Sequence, residues 1–149
     1  MTTADLDHLL DRNKAVVARH LQAENAHALQ ATLDTLHPDC IFEDLPLGLV
    51  YRGKAGAAEY YRTWWNAFQI EVRGVARHWS VEGNMVAETS YVGTHVGRFH
   101  GIAPTGLPIH LPLAVVITFE DGLMSGERFY YDAGALFRQL GLKDRPAGL

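Results

Sequence analysis

The sequence predicts an α+β fold in which helices come first and a run of antiparallel strands follows. Three observations carry this. Apolar residues at Leu6, Leu9, Leu10, Val16, Val17, Leu21, Leu29, Leu33 and Leu36 recur at helical spacing. After Phe68 the composition turns β-rich. Asp121-Gly122, between two such runs, is the strongest hairpin signal in the chain.

The elements follow in order. Thr3 is the expected cap of the first helix, which should break near Asn25 and stop at His37-Pro38. "CIFEDLP" and "GLVYRG" read as short strands. "GKAGAAEYYRTWWNAF" is a second helix, with Ala57, Tyr61, Trp64, Trp65 and Phe68 on one face. "IEVRGVARHWSVEG" is a strand closing on a turn at Glu82 to Asn84, and "MVAETSYVGTHVGRFHG" a second long one. "IAPTGLP" is a loop. "IHLPLAVVITFE" and "LMSGERFYY" pair across the Asp-Gly turn. "AGALFRQLGL" is a closing helix, with Gly141 as its C-cap. Gly74, Gly93, Gly97 and Gly126 stand inside strands, where they mark bends or bulges. A sheet curved in this way leaves a pocket between its concave face and the helices.

The chain has 149 residues, enough for a single domain over 1–149 with one core. Hydrophobic residues make up 48% and charged residues 20%, a globular composition. The net charge of −4 and the lack of a basic block argue against nucleic-acid and membrane partners. Cys40 is the single cysteine, so neither an internal disulfide nor a structural zinc site is expected. With no signal peptide and no membrane span in the pattern, a soluble, cytoplasmic protein is expected.

Asp132, in "RFYYDAGALFRQLGL", stands where a strand becomes a helix. It suits a helix N-cap, and it suits an acid/base group if its face lines the pocket. Strand parity puts Arg128, Tyr130 and Asp132 on one face and Glu127, Phe129 and Tyr131 on the other. A pocket on the first face would hold a cation, a phenol and a carboxylate. His95 and His100 flank a strand end, and His110 lies on the next strand; their spacing matches no metal-ligand motif, so no metal is expected. Two adjacent tryptophans cannot point the same way on a helix, which leaves one of Trp64 and Trp65 available to a pocket or a subunit interface. Of Glu43 and Asp44, which follow the apolar "CIF", one is a candidate to point inward; Tyr51 and Arg52 share that ambiguity. There is no phosphate-binding loop, dinucleotide fingerprint or nucleophile elbow.

The element order, with "GTHVGRFHGIAPTGLPI", "FEDGLMSGERFYYD" and "ALFRQLGL", resembles the SnoaL-like polyketide cyclases of the nuclear transport factor 2-like superfamily. The resemblance covers nearly the whole chain and is strongest from Gly93 to Leu142. It implies a cone-shaped α+β barrel with a deep apolar pocket and no cofactor. It implies ring closure by aldol chemistry, with Asp132 as acid/base and His95 bonding the substrate oxygen. Tyr130, Arg128, Trp64, His110, Glu43 and Tyr51 are the expected substrate-binding residues.

The expected function is thus a cofactor-independent cyclase or isomerase acting on a hydrophobic carbonyl compound. Two alternatives stand beside it. One is a non-catalytic binder of small hydrophobic ligands or a dimeric interaction module. The other is a hydrolase of epoxide-hydrolase type using an Asp-activated water. The resemblance also implies a homodimer formed by sheet faces. In "HLPLAVVITF" both parities are nonpolar, which supports a subunit contact.

Overall fold

A computed structural model describes residues 1–149. Helix α1 (Thr3–Asn25) opens with a capping box, in which the Thr2 hydroxyl accepts the Asp5 amide and the Asp5 carboxylate accepts the Thr2 amide. The cap is therefore Thr2, one residue before the expected Thr3. The break near Asn25 is present, and α2 (Leu29–Leu33) follows it. Strand β1 (Leu36–Asp44) begins ahead of Pro38, which lies in an irregular stretch where the pairing register shifts between Leu36 and Ile41. The helical segment thus ends earlier than His37-Pro38.

Strand β2 (Leu49–Arg52) leads into α3 (Gly53–Phe68). Strands β3 (Glu71–Trp79), β4 (Met85–Thr94), β5 (Pro108–Glu120) and β6 (Leu123–Tyr131) follow, and α4 (Ala133–Gln139) comes last. Between β5 and β6, Asp121 and Gly122 both adopt positive φ (53° and 76°), as a tight two-residue hairpin requires.

One mixed sheet has the order β2-β1-β6-β5-β4-β3. The sheet is not wholly antiparallel, because β1 runs parallel to β6. These strands are far apart in sequence, so no hairpin dictates their direction. Register shifts occur at Gly74/Ala76 in β3 and at Thr118/Phe119 opposite Gly126, two of the expected bends. Gly93 and Gly97 serve differently. A Cβ at Gly93 would lie 2.2 Å from the Phe68 carbonyl oxygen, and one at Gly97 would lie 2.2 Å from that of Asn66. Their bareness lets the chain after β4 press onto the end of α3, where the Val96 and Gly97 amides bond the Ala67 carbonyl.

The core fills the concave side of the sheet. Ile109, Leu111, Leu113, Val115 and Ile117 alternate inward along β5. Tyr60 of α3 stacks on Phe129 with ring centroids 4.5 Å apart, and Phe42 meets Tyr60, Tyr61 and Phe129 edge-on. Such pairs contribute about 0.5–1.5 kcal/mol each beyond area burial. Trp64 and Trp65 diverge but both stay buried. Trp64 packs on Phe99 and Tyr131, while Trp65 stacks on His27.

Candidate active site

Helix α1 lays Val16, Val17, His20, Leu21 and Glu24 along the side that faces the sheet, so the i, i+4 pair His20 and Glu24 is carried inward on an apolar stripe. Strand β6 turns Glu127, Phe129 and Tyr131 to the same interior. The result is a buried cluster. His20 Nε2 lies 3.4 Å from Glu127 Oε1, 3.5 Å from Glu24 Oε2 and 3.1 Å from the Tyr61 hydroxyl. On its other side, His20 Nδ1 lies 2.7 Å from Thr35 Oγ.

Burial decides the charge state of these groups. Removal from water disfavours the ionised form of each group. It pushes the Glu24 carboxyl up to about 8, pushes Glu127 well above the usual range, and pulls the His20 imidazole down to about 4. Repulsion from Glu24 raises Glu127 further. Near neutral pH the imidazole is uncharged and the glutamate pair retains at least one proton. A group that keeps a proton there is a donor, and its conjugate base is stronger than an exposed carboxylate.

These groups wall a cavity. Its non-atom space is about 560 Å³, solvent opening included, of which about 70 Å³ is open to the centre of a water molecule. That is room for a few waters or a slender ligand. The wall is mostly apolar, with Val72, Met85, Ala87, Val115, Ile117 and Phe129 around His20, Glu24 and Glu127. Gly74 and Ala76 of β3 complete the wall opposite α1. Tyr91 also lines the cavity, and its hydroxyl is 2.9 Å from that of Tyr60.

A third buried carboxyl stands at the end of β1. Asp44 is fully buried and accepts hydrogen bonds from the Tyr131 hydroxyl (2.8 Å) and the Leu47 amide (3.3 Å). Burial pushes its carboxyl up to about 6.

The SnoaL-like polyketide cyclase family model matches residues 14–140. The chain belongs to the SnoaL-like polyketide cyclase family. Solved structures share the fold. A protein of Xanthomonas campestris pv. campestris, assigned as a polyketide cyclase, is 22% identical, with 89% of this chain and 98% of that chain covered at a TM-score of 0.80. A protein of Jannaschia sp. CCS1, assigned as a SnoaL-like polyketide cyclase, is 18% identical, with 91% and 96% covered at 0.80. The epoxide hydrolase/cyclase-like enzyme SalBIII, of pyran ring formation in polyether salinomycin, is 15% identical, with 82% and 92% covered at 0.71. No curated protein matches the sequence. No helix of the chain is long and apolar enough to cross a membrane.

Within this SnoaL-like domain the residues singled out from the sequence do not converge. Asp132 caps α4, accepting the Ala135 amide at 2.9 Å, and its side chain is 69% exposed, 3.7 Å from Arg138. Tyr130 is exposed on the outer face of the sheet, and Arg128 and Glu43 share a groove there. The face carrying Arg128, Tyr130 and Asp132 is thus the outer one, because Phe129 and Tyr131 take the interior. His110 also lies outside, with Nε2 3.1 Å from the Ser90 hydroxyl. His95 is buried, and its Nδ1 accepts the Thr105 amide; burial lowers its pKa. Its Nε2 has no partner and it packs on Phe68, away from the His20 cluster. Trp64 and Tyr51 are buried among aromatic rings. Of the early acidic pair it is Asp44 that points inward, while Glu43 faces out.

His20, Glu24, Tyr61, Thr35, Tyr91 and Glu127 form the interior polar set that the sequence reading passed over. Two signals point to it. His20 and Glu24 interrupt the apolar stripe of α1 at i, i+4. Glu127 shares strand parity with Phe129, a residue that belongs in a core.

Proposed function

We propose that this SnoaL-like domain is a cyclase or isomerase that moves protons on a small hydrophobic carbonyl compound inside the cone. Glu127, Glu24 and His20 form the acid/base group, and the Tyr91 hydroxyl on the cavity wall is the donor to the substrate oxygen. The observation that carries this reading is the contact of three buried titratable side chains on the wall of an apolar cavity.

The chemistry is balanced within that set. One glutamate, as carboxylate, removes the proton from a carbon next to the carbonyl. The C–H electron pair becomes an enolate, whose oxygen is met by a tyrosine hydroxyl. The enolate carbon attacks a second carbonyl of the same molecule, a carbon–carbon bond forms, and the second oxygen becomes an alkoxide. The other glutamate, still protonated, gives its proton to that alkoxide. His20 lies between the carboxyls and returns the proton from one to the other. On this reading Asp132 is a helix cap, and His95 supports the loop through Thr105.

The paired carboxyls favour a second reading, epoxide opening. There the protonated glutamate donates to the epoxide oxygen as the C–O bond breaks. Its partner takes the proton of the attacking hydroxyl or water. Both readings require Glu127. The test is proton exchange next to the carbonyl of a simple hydrophobic ketone, compared between wild type and Glu127→Gln. A protein that binds the ketone without exchanging its protons is a binder instead.

We also propose that the chain is a homodimer through the outer face of its sheet. Val75, Val86 and Tyr130 are exposed there, and Pro112 and Ala114 of β5 lie beside Val75 and Tyr130.

A further inference from the structure

The Thr35 hydroxyl has one proton to give and two polar neighbours. It lies 2.6 Å from the Thr32 carbonyl oxygen, which can only accept. Its proton is therefore committed to Thr32. The contact with His20 Nδ1, at 2.7 Å, must then be supplied by the ring, as Nδ1–H donating to Thr35 Oγ. A neutral imidazole protonated at Nδ1 is bare at Nε2. That bare nitrogen is the atom facing Glu24, Glu127 and the Tyr61 hydroxyl.

Thr35 is well placed to impose this choice. It sits in the turn between α2 and β1 and is 4% exposed, so water does not compete for its hydroxyl. Its own carbonyl accepts the Met124 amide of β6 at 3.0 Å, which ties the turn to the strand that carries Glu127. The hydroxyl is thus held in register with both the helix bearing His20 and the strand bearing Glu127.

We infer that Thr35 is a positioning residue that fixes His20 as the Nδ1–H tautomer, so that Nε2 is a proton acceptor for the glutamate pair. The inference rests on the acid/base reading for its consequence but not for its geometry. With the other tautomer, Nε2–H donates to a carboxylate and His20 cannot take a proton from the neighbouring acid. The tautomer therefore sets whether the ring passes a proton or holds one in place. Thr35 touches no reacting atom and acts only through His20.

The test uses the full chain labelled with ¹⁵N at histidine. Two-bond ring correlations report which ring nitrogen of His20 is bare, with His20→Gln used to assign the signal. Wild type is expected to show a protonated Nδ1 and a bare Nε2. Thr35→Ser keeps the hydroxyl and keeps the pattern. Thr35→Val loses the acceptor, and the signal moves to the Nε2–H tautomer or to a mixture. In the same variant kcat for proton exchange falls about 10- to 100-fold, the range known for groups that orient metal-bound histidines, with KM unchanged. An Nε2–H tautomer in wild type overturns the inference, as does a folded Thr35→Val with the wild-type pattern. If Thr35→Val does not fold, the wild-type and Thr35→Ser spectra decide alone: Nδ1–H in both upholds the inference and Nε2–H in either overturns it. A tautomer shift in Thr35→Val together with full exchange activity in Glu127→Gln would leave the positioning role standing and remove the acid/base reading.

Discussion

His20 Nε2, on the first helix, lies 3.4 Å from Glu127 Oε1, on the last strand, and the two side chains are 6% and 7% exposed. Two ionisable groups so deep in one domain destabilise it unless they neutralise or pair. Here they neutralise, and that fixes how stability responds to pH.

The glutamates hold their protons more tightly folded than unfolded. Their contribution to stability is full below the unfolded carboxyl pKa and is lost as pH rises through the folded value, about 8 for Glu24. Asp44, with a folded value of about 6, acts in the same direction at lower pH. His20 has the opposite sign. Its folded value of about 4 lies below the unfolded one, so its contribution is present above the unfolded histidine pKa and is lost as pH falls. In mildly acidic solution the single His20 slope offsets only one of the three carboxyl slopes. Above the unfolded histidine pKa only the glutamates act. Denaturant titrations should show stability falling from there to about pH 8, by at most about 1.4 kcal/mol per pH unit per group. Glu127→Gln should make that fall shallower. A wild-type curve that is flat over this range would remove the buried-glutamate account.

Asp132 provides a structural prediction. Asn accepts the Ala135 amide as Asp does, so Asp132→Asn should leave stability within a few tenths of a kcal/mol. Asp132→Ala removes the cap and should cost about 1 kcal/mol. Thermal melting of the two variants side by side separates cap from charge.

Tyr131→Phe takes away the hydroxyl that Asp44 accepts, leaving that carboxyl with the Leu47 amide alone. The expected cost is about 1–3 kcal/mol, the penalty of an unsatisfied buried polar group. Losing the donor raises the Asp44 pKa further, so the cost should grow as pH rises through about 6, the folded value of Asp44. Urea denaturation at two pH values measures both effects.

The dimer proposal has a simple measurement. Size-exclusion chromatography with light scattering should give twice the chain mass of 16.5 kDa, and Tyr130→Glu on the outer face should shift the protein toward monomer. A wild-type monomer at high concentration would contradict it.

Much of the fold was legible because apolar period and turn chemistry are local. The second helix begins and ends where "GKAGAAEYYRTWWNAF" does, and the Asp121-Gly122 turn closes β5 on β6. The parallel β1–β6 pair was not legible, since pairing across such a separation leaves no local mark. The candidate residues Arg128, Tyr130 and Asp132 lie on the face of β6 that turns out to be the outer one. Parity separated Glu127 from Arg128, Tyr130 and Asp132 correctly, but it does not say which side is the interior. Phe129 and Tyr131 against Tyr130 is a weak hydrophobic contrast, and the packing of Phe129 on Tyr60 decides it. His20 and Glu24 come from a helix remote in sequence from β6, so only the tertiary fold joins them to Glu127.

The central claim is that Glu127, and not Asp132, belongs to the proton-transfer group. The most direct measurement follows deuterium entering the carbon next to the carbonyl of a hydrophobic aryl ketone in D₂O, by NMR, with wild type, Glu127→Gln and Asp132→Asn. Wild type should accelerate exchange, Asp132→Asn should match it, and Glu127→Gln should lose about 100- to 10,000-fold, the usual worth of a general acid/base. Exchange that survives Glu127→Gln and disappears in Asp132→Asn would contradict the account and place the chemistry at the outer end of β6.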